Sequence, residues 1–301
     1  MPSDGAILAR LIKNMKRQGS DPLRPLLDEY LLKRDRMPVR HVVEAIDMAP
    51  PVRPPGRISP SGLGGCERQA VFIFVGAKGR KRIDPDQQLV FDDGTWRHHK
   101  WEATFQDMER VLGRDRFRVL AVEQRVEFPD LYVAGSLDVT VAIRLPNGRW
   151  RKYVIDIKGI NDVGFGFVLR NDAPIAHHVQ QLVAYEKAVG IPRGLLWYEN
   201  KNNQLTKAFV VREHDALWES VESWCTSVVS HLRRKRLPPM HPECQRGTFT
   251  FERCPFTALC YGKRTTAQLT RYTFKNFADI DTAWQAGNEH AKESTDARSV
   301  S

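Results

Sequence analysis

Two alternating apolar runs, LYVAGSLDVTVAIRL (131–145) and WRKYVIDIK (150–158), are separated by Pro146-Asn147-Gly148. An Asn-Gly step between such runs is a strong hairpin signal, because both turn positions accept a positive φ. Another strand-like run, FRVLAVEQRVEF (117–128), comes just before them. A helix is expected from about Pro174 to Val189, then a strand GLLWYENK ending at Lys201, a strand at 205–212 and a helix at 214–235. A further helix is expected upstream, from about Gly94 to Leu112. The core therefore reads as α+β: a mixed sheet of four or five strands flanked by helices.

The second hairpin strand carries an unexpected pair of charges. In KYVIDIKG, Tyr153, Ile155 and Ile157 face one side while Val154, Asp156 and Lys158 face the other. Asp156 and Lys158 then stand ~6–7 Å apart on one face. Asp138 lies on the partner strand, and a suitable register brings the two carboxylates together. Unpaired carboxylates in a sheet core repel and are costly to desolvate. A divalent cation removes that penalty, and hard oxygen ligands suit Mg²⁺ or Mn²⁺. Lys158 would balance charge and orient or deprotonate an attacking water. The alternative is a solvated face on an edge strand. Two further features bear on the choice. His177, Gln181 and Tyr185 form an i, i+4, i+8 row on one helix face, either solvated or aimed at a phosphate backbone. His98, near the start of a helix, offers an imidazole that is either structural or a ligand.

The 301 residues allow one large or two small domains. Lys and Arg exceed Asp and Glu by 46 to 36, a balance that favours a polyanionic partner, nucleic acid first. No run of eighteen apolar residues exists, so no membrane span is expected. The N-terminal MPSDGAILARLIKNMKRQ reads as an amphipathic helix rather than a transit peptide. Residues 1–50 form a helical appendage, and the Pro-rich 49–60 marks a boundary. A main domain spans 58–265, and 266–301 reads as a loop-rich, partly disordered tail.

Taken in order, several short motifs resemble the RecB-like branch of the PD-(D/E)XK nuclease superfamily. They are Gly94-x3-His98, Glu123 on the following strand, Gly135-Ser136-Leu137-Asp138, Asp156-Ile157-Lys158 and Gln181-x3-Tyr185. The resemblance covers about residues 58–262 and implies a restriction-endonuclease-like core. It implies His98, Asp138, Asp156 and the Ile157 carbonyl as ligands of Mg²⁺ or Mn²⁺, with Lys158 as the catalytic lysine beside Asp138 and Asp156. Gln181, Tyr185 and Lys201 would contact DNA, with possible roles for Glu123 and His177. The implied activity is metal-dependent DNA hydrolysis, most readily by an exonuclease on single strands or ends in recombination, repair or replication. A structure-specific or restriction-type endonuclease and a non-catalytic DNA-binding module are the alternatives. No P-loop is present, so unwinding would fall to a helicase or recombination partner. The setting implied is bacterial or phage-encoded and cytoplasmic.

Five cysteines, an odd number, argue against a disulfide framework. Cys66, Cys244, Cys254 and Cys260 could bind zinc or an iron–sulfur cluster, or remain reduced. Their context resembles the iron–sulfur nucleases of the superfamily, the CRISPR adaptation nuclease and the AddB nuclease domain among them. There, one cysteine before the core and three after it hold a [4Fe-4S] cluster. The trailing triad departs from the family pattern, with nine residues between Cys244 and Cys254 where two are usual. Cys225, within a helical pattern, reads as a packed thiol. The basic runs at 79–82 and 231–236 read equally well as solvated surface or as a phosphate track.

Overall fold

The computed structural model describes residues 21–35, 55–81, 85–212 and 214–299. Most of the N-terminal appendage and half of the Pro-rich boundary lie outside the described residues. In chain order the helices and strands are α1 (Arg24–Lys33), α2 (Glu67–Phe74), α3 (Pro85–Leu112), β1 (Phe117–Phe128), β2 (Val133–Arg144), β3 (Trp150–Ile160), α4 (Asp162–Asn171), α5 (Ala176–Val189), β4 (Arg193–Asn200), β5 (Thr206–Arg212), α6 (Asp215–Arg233), α7 (Phe249–Arg253), α8 (Thr257–Cys260), α9 (Thr266–Thr273) and α10 (Ile280–Ser299). They fall into two compact units. One comprises residues 21–35, 85–126 and 136–218, and the other 55–81, 127–135 and 219–299.

The first unit is built on a five-stranded mixed sheet in the order β1-β2-β3-β4-β5. β2 and β3 pair antiparallel, with Val139 opposite Ile155. The Asn-Gly step closes them: Gly148 takes φ +78°, and the Leu145 N–H donates to the Arg149 carbonyl. β3 and β4 pair parallel, with Asp156 opposite Leu196. A parallel pair needs a long crossover, here supplied by α4 and α5. β5 then returns antiparallel along β4.

The alternation in β3 becomes a division of labour. Tyr153, Ile155 and Ile157 join Val139, Val141, Leu195 and Trp197 in one apolar core with α3 and α1. Within it Trp101 of α3 meets Trp197 edge-on at 5.0 Å, so both indoles serve packing. Leu23, Leu27 and Tyr30 are fully part of this core, and the Tyr30 hydroxyl donates to Asp107. The described part of the N-terminal segment is thus integral to the first unit. α5 packs on β3 and β4 and carries Gln181 to the other face of β3, against Lys158.

In the second unit, Phe72 of α2 packs on Phe256, and Phe74 meets Tyr132 and Phe277 edge-on. Residues beyond 265, expected to be loop-rich, form α9 and α10. A reciprocal capping box between Thr265 and Gln268 starts α9. Buried Leu269, Phe274, Phe277 and Ile280 hold the segment down. Among the described residues no helix is long and apolar enough to cross a membrane.

Gly56 fixes how closely α10 approaches the chain. It sits at φ +89°, and a Cβ there would lie 1.9 Å from the Ala283 carbonyl oxygen. Gly56→Ala is therefore expected to destabilise the protein by roughly 2–4 kcal/mol. Urea unfolding of the second unit checks this, and a change below about 0.5 kcal/mol would refute the contact.

Candidate active site

The site begins with a buried acid that fixes the helix beside it. Glu199, near the end of β4 and 1% exposed, accepts hydrogen bonds from the Trp101 indole at 2.9 Å and from Lys100. Arg97 lies 3.2 Å from it. Three donors from little more than one turn of α3 thus converge on one carboxylate. This sets the rotation and height of α3, and so the position of His98. Gly159, directly after Lys158, is part of the same fit. A Cβ there would come within 2.8 Å of Arg97 and 3.1 Å of Lys201.

His98 Nδ1 lies 3.1 Å from Asp138 Oδ1. The β2–β3 ladder ends at Val139 and Ile155, and the next step along it sets Asp138 across from Asp156. There the side chain takes over from the backbone: the Ile157 N–H donates to Asp138 Oδ2 at 2.6 Å. A strand residue's N–H and C=O point to the same edge, so the Ile157 carbonyl also faces Asp138. Lys158 Nζ donates to Asp156 Oδ1 at 2.9 Å and to Gln181 Oε1 at 3.0 Å. Gln181 Nε2 in turn donates to the Tyr185 hydroxyl at 2.9 Å. The structure thus brings His98, Asp138, Asp156, Lys158, Gln181 and Tyr185 into one hydrogen-bonded neighbourhood.

Asp156 is 1% exposed, and its Oδ2 is buried without a hydrogen-bond partner. An acceptor of this kind suits a cation. Burial pushes the Asp156 carboxyl up, Lys158 pulls it back, and the Asp138 charge raises it again, leaving it at about 6. Asp138 is also buried, but the His98 charge and hydrogen bond outweigh burial and hold it below the usual carboxylate value. Burial alone would depress His98; Asp138 reverses this and raises it to about 9.

Other sequence-derived candidates sit less centrally. Gln181 and Tyr185 are buried, their hydrogen bonds leading to Lys158 and to each other. Lys201 pairs with Asp93 at 2.8 Å, and His177 is exposed with its ring 4.2 Å from that of His178. Glu123 accepts a 2.6 Å hydrogen bond from Ser136. Sequence reasoning missed Glu102, which converges with His98 and Glu123 to within 4.8 Å. Its signal was the i+4 spacing from His98 on one helix.

The second unit carries the cysteines. Cys66, Cys244, Cys254 and Cys260 line one pocket with Arg68 and Phe72, and all are free thiols. Cys66 is the N-cap residue of α2, and Cys260 ends α8. Burial raises the Cys254 thiol. Burial also raises Cys260, against the opposing pull of Arg68. Cys225 is fully buried in α6, its thiol pushed up to about 12 by burial.

No family model and no curated protein matches this chain. Among solved structures, one titled "Crystal structure of SSO0001" is 16% identical with a TM-score of 0.40, covering 76% of this chain and 95% of its own. An alkaline exonuclease from Laribacter hongkongensis is 13% identical with a TM-score of 0.36, covering 60% and 89%. The same exonuclease in complex with dAMP gives 13% and 0.37 over the same shares. Likenesses this distant carry no functional argument, so function is read from the site itself.

The His98–Asp138 pair makes metal-free stability depend on pH. The folded value of His98, about 9, lies above its ordinary 6.5. Its stabilisation is therefore complete below pH 6.5 and is lost as pH rises through 9. Asp156, at about 6, is largely ionised throughout that window. In EDTA the melting temperature should fall by roughly 2–4 °C between pH 6.5 and 9, and Asp138→Asn should flatten the slope. An equal slope in the two proteins would refute the pairing.

Proposed function

We propose that the first unit is a divalent-metal-dependent nuclease that hydrolyses DNA phosphodiester bonds. The observation carrying this is the run of contacts linking His98 to Asp138, Asp138 to the Ile157 amide and Lys158 to Asp156, next to a buried Asp156 oxygen that has no donor. His98, Asp138, Asp156 and the Ile157 carbonyl would hold Mg²⁺ or Mn²⁺. Such an ion neutralises phosphate charge and makes an attacking water more acidic. Lys158 supplies a fixed positive charge beside the reacting phosphate and a nitrogen able to orient the water. Asp156 and Gln181 hold that ammonium from two sides, and Tyr185 braces Gln181. Gln181 and Tyr185 therefore act as positioning residues for Lys158. Lys201 would reach the substrate backbone once released from Asp93. The net charge of +10 suits a polyanionic substrate. Within the nuclease class we take the exonuclease mode on single strands or DNA ends, following the branch the sequence resembles.

For the second unit we propose an iron–sulfur cluster on Cys66, Cys244, Cys254 and Cys260. Arg68 supports an anionic centre in this pocket. It is 6% exposed and donates twice to the Pro238 carbonyl, at 2.8 and 2.6 Å. Among the described residues no carboxylate pairs with it, and a buried cation needs opposite charge nearby. Four thiolates on a metal centre supply that charge; four neutral thiols do not.

End-labelled single-stranded and duplex DNA, digested with Mg²⁺ or Mn²⁺, tests the first proposal. Asp156→Ala and Lys158→Ala should each lower kcat by about 10²-fold or more. Gln181→Ala should lower kcat by roughly tenfold with KM little changed. Closed circular single strands should survive. Their cleavage would assign the endonuclease mode, and wild type as inert as the variants would favour a binding module. For the cluster, anaerobically purified protein should contain iron and acid-labile sulfide. Cys260→Ser should lose both and unfold at lower urea, while zinc without sulfide would refute the cluster.

A further inference from the structure

Two side chains of α5 reach the sheet side by side. Gln181 accepts from Lys158 of β3 at 3.0 Å, and His178 Nδ1 lies 2.9 Å from the Tyr198 hydroxyl of β4. Lys158 and Tyr198 are register partners in the parallel β3–β4 pair, so they project from one face on strands ~4.8 Å apart. His178 and Gln181, three apart on one helix, are likewise neighbours. We propose that His178 binds a phosphate of the DNA strand adjoining the reacting one, donating a hydrogen bond from Nε2, and that the Tyr198 hydroxyl is the positioning group that fixes this donor.

The hydrogen-bond inventory sets the tautomer. Tyr198 is fully buried, and its oxygen accepts from the Ile175 N–H at 3.0 Å. Its own hydrogen then has one acceptor among the described residues, His178 Nδ1. The reverse arrangement, with Nδ1–H donating to the tyrosine oxygen, would leave a buried hydroxyl donor unpaired, which is costly. His178 therefore keeps Nδ1 bare and carries its hydrogen on Nε2. The His177 ring, edge-on at 4.2 Å, and the Tyr198 ring at 5.6 Å hold the imidazole in place. The titratable groups facing it are Lys158 of β3, Tyr198 of β4 and His177 of α5. Burial, Lys158 and His177 all oppose a second proton and leave His178 at about 2, so the ring stays a neutral donor.

With Nδ1 engaged and Nε2 protonated, His178 has no lone pair left for a metal, but it has a donor to give. Nε2 makes no hydrogen bond to the protein among the described residues, and the side chain is only partly buried. An anionic oxygen is its best partner, because an N–H bond to a charged acceptor is about twice as strong as one to a neutral acceptor. His178 also lies in the first turn of the 14-residue α5, where the helix dipole favours negative charge. It stands one strand across the sheet and about one helical turn along α5 from the Gln181–Lys158 contact. An anion on Nε2 is thus a neighbour of the phosphate that Lys158 faces. That this anion belongs to a DNA strand rests on the nuclease reading.

Two measurements on the full-length protein test this. Imidazole nitrogen NMR of histidine-labelled protein, with His178 assigned by its absence from His178→Leu, should show a bare Nδ1 and a protonated Nε2. Tyr198→Phe should lose that single state. Digestion of end-labelled single strands reads the contact itself. His178→Leu should raise KM by roughly tenfold with kcat within about twofold of wild type. His178→Gln, which keeps an N–H at similar reach, should return KM to within about threefold. A single methylphosphonate linkage, stepped along the strand, should erase the His178→Leu penalty at the linkage beside the one cut. A wild-type ring protonated on Nδ1, His178→Leu kinetics equal to wild type, a loss confined to kcat, or a penalty erased only at the cut linkage would each overturn the inference. If wild type digests no DNA, the nuclease reading fails, and anisotropy of a labelled oligonucleotide in EDTA decides. Binding weakened in His178→Leu and restored in His178→Gln keeps the phosphate contact; equal binding in all three proteins removes it.

Discussion

The carboxylate of Asp156 is the constraint around which the first unit is arranged. It sits on β3, flanked by β2 and β4, where water does not reach it. Desolvating an ionised carboxylate there is costly, and one lysine does not offset it fully: the carboxyl still sits at about 6. The surroundings are organised accordingly. Lys158 shares the acid's face of β3, α5 presents Gln181 to hold Lys158, and Asp138 takes the Ile157 amide where the β2–β3 ladder stops. Each partner is in turn held by a rigid element, an arrangement that keeps a reactive constellation from drifting.

A second buried acid does equivalent work for the helix. Glu199 gathers Arg97, Lys100 and Trp101, and breaking any one contact would leave buried charge poorly matched. The apolar core beneath holds α3 against the sheet, yet apolar contacts are non-directional. The Glu199 cluster supplies the direction. His98 lies one residue from Arg97, so its distance to Asp138 depends on this arrangement.

Local rules made some of this legible. The hairpin followed from turn chemistry and alternation, and the inward face of β3 from its period of two. Strand limits fell within a few residues because Gly, Asn and Pro punctuate them. What local rules missed depends on partners distant in sequence. α5 is buried nearly all round from Val179 to Glu186, so its pattern does not show that Gln181 turns toward Lys158. Glu102 stands among several acids on α3, and its i+4 spacing from His98 gains weight only once its burial is seen. The positive φ of Glu123 has no sequence signature, since Gly or Asn is the usual tenant of that conformation. α9 and α10 carry few apolar residues, and the spacing of Leu269, Phe274, Phe277 and Ile280 gains meaning only once α2 and Tyr132 lie beneath them.

The second unit is assembled from segments interleaved in sequence with the first, its largest one coming last, and this sets an order of events during synthesis. All strands of the first unit have emerged by Arg212, before any of Cys244, Cys254 and Cys260. At about 5–20 residues per second, Cys66 stays without its partners for on the order of 10–40 s. The first unit can condense in that interval, whereas the cysteine pocket closes only after its last member, Cys260, has been made. Whatever fills the pocket therefore arrives late, on a chain whose sheet has already formed. Oxidation of the waiting thiol would leave the sheet in place and the second unit unfinished.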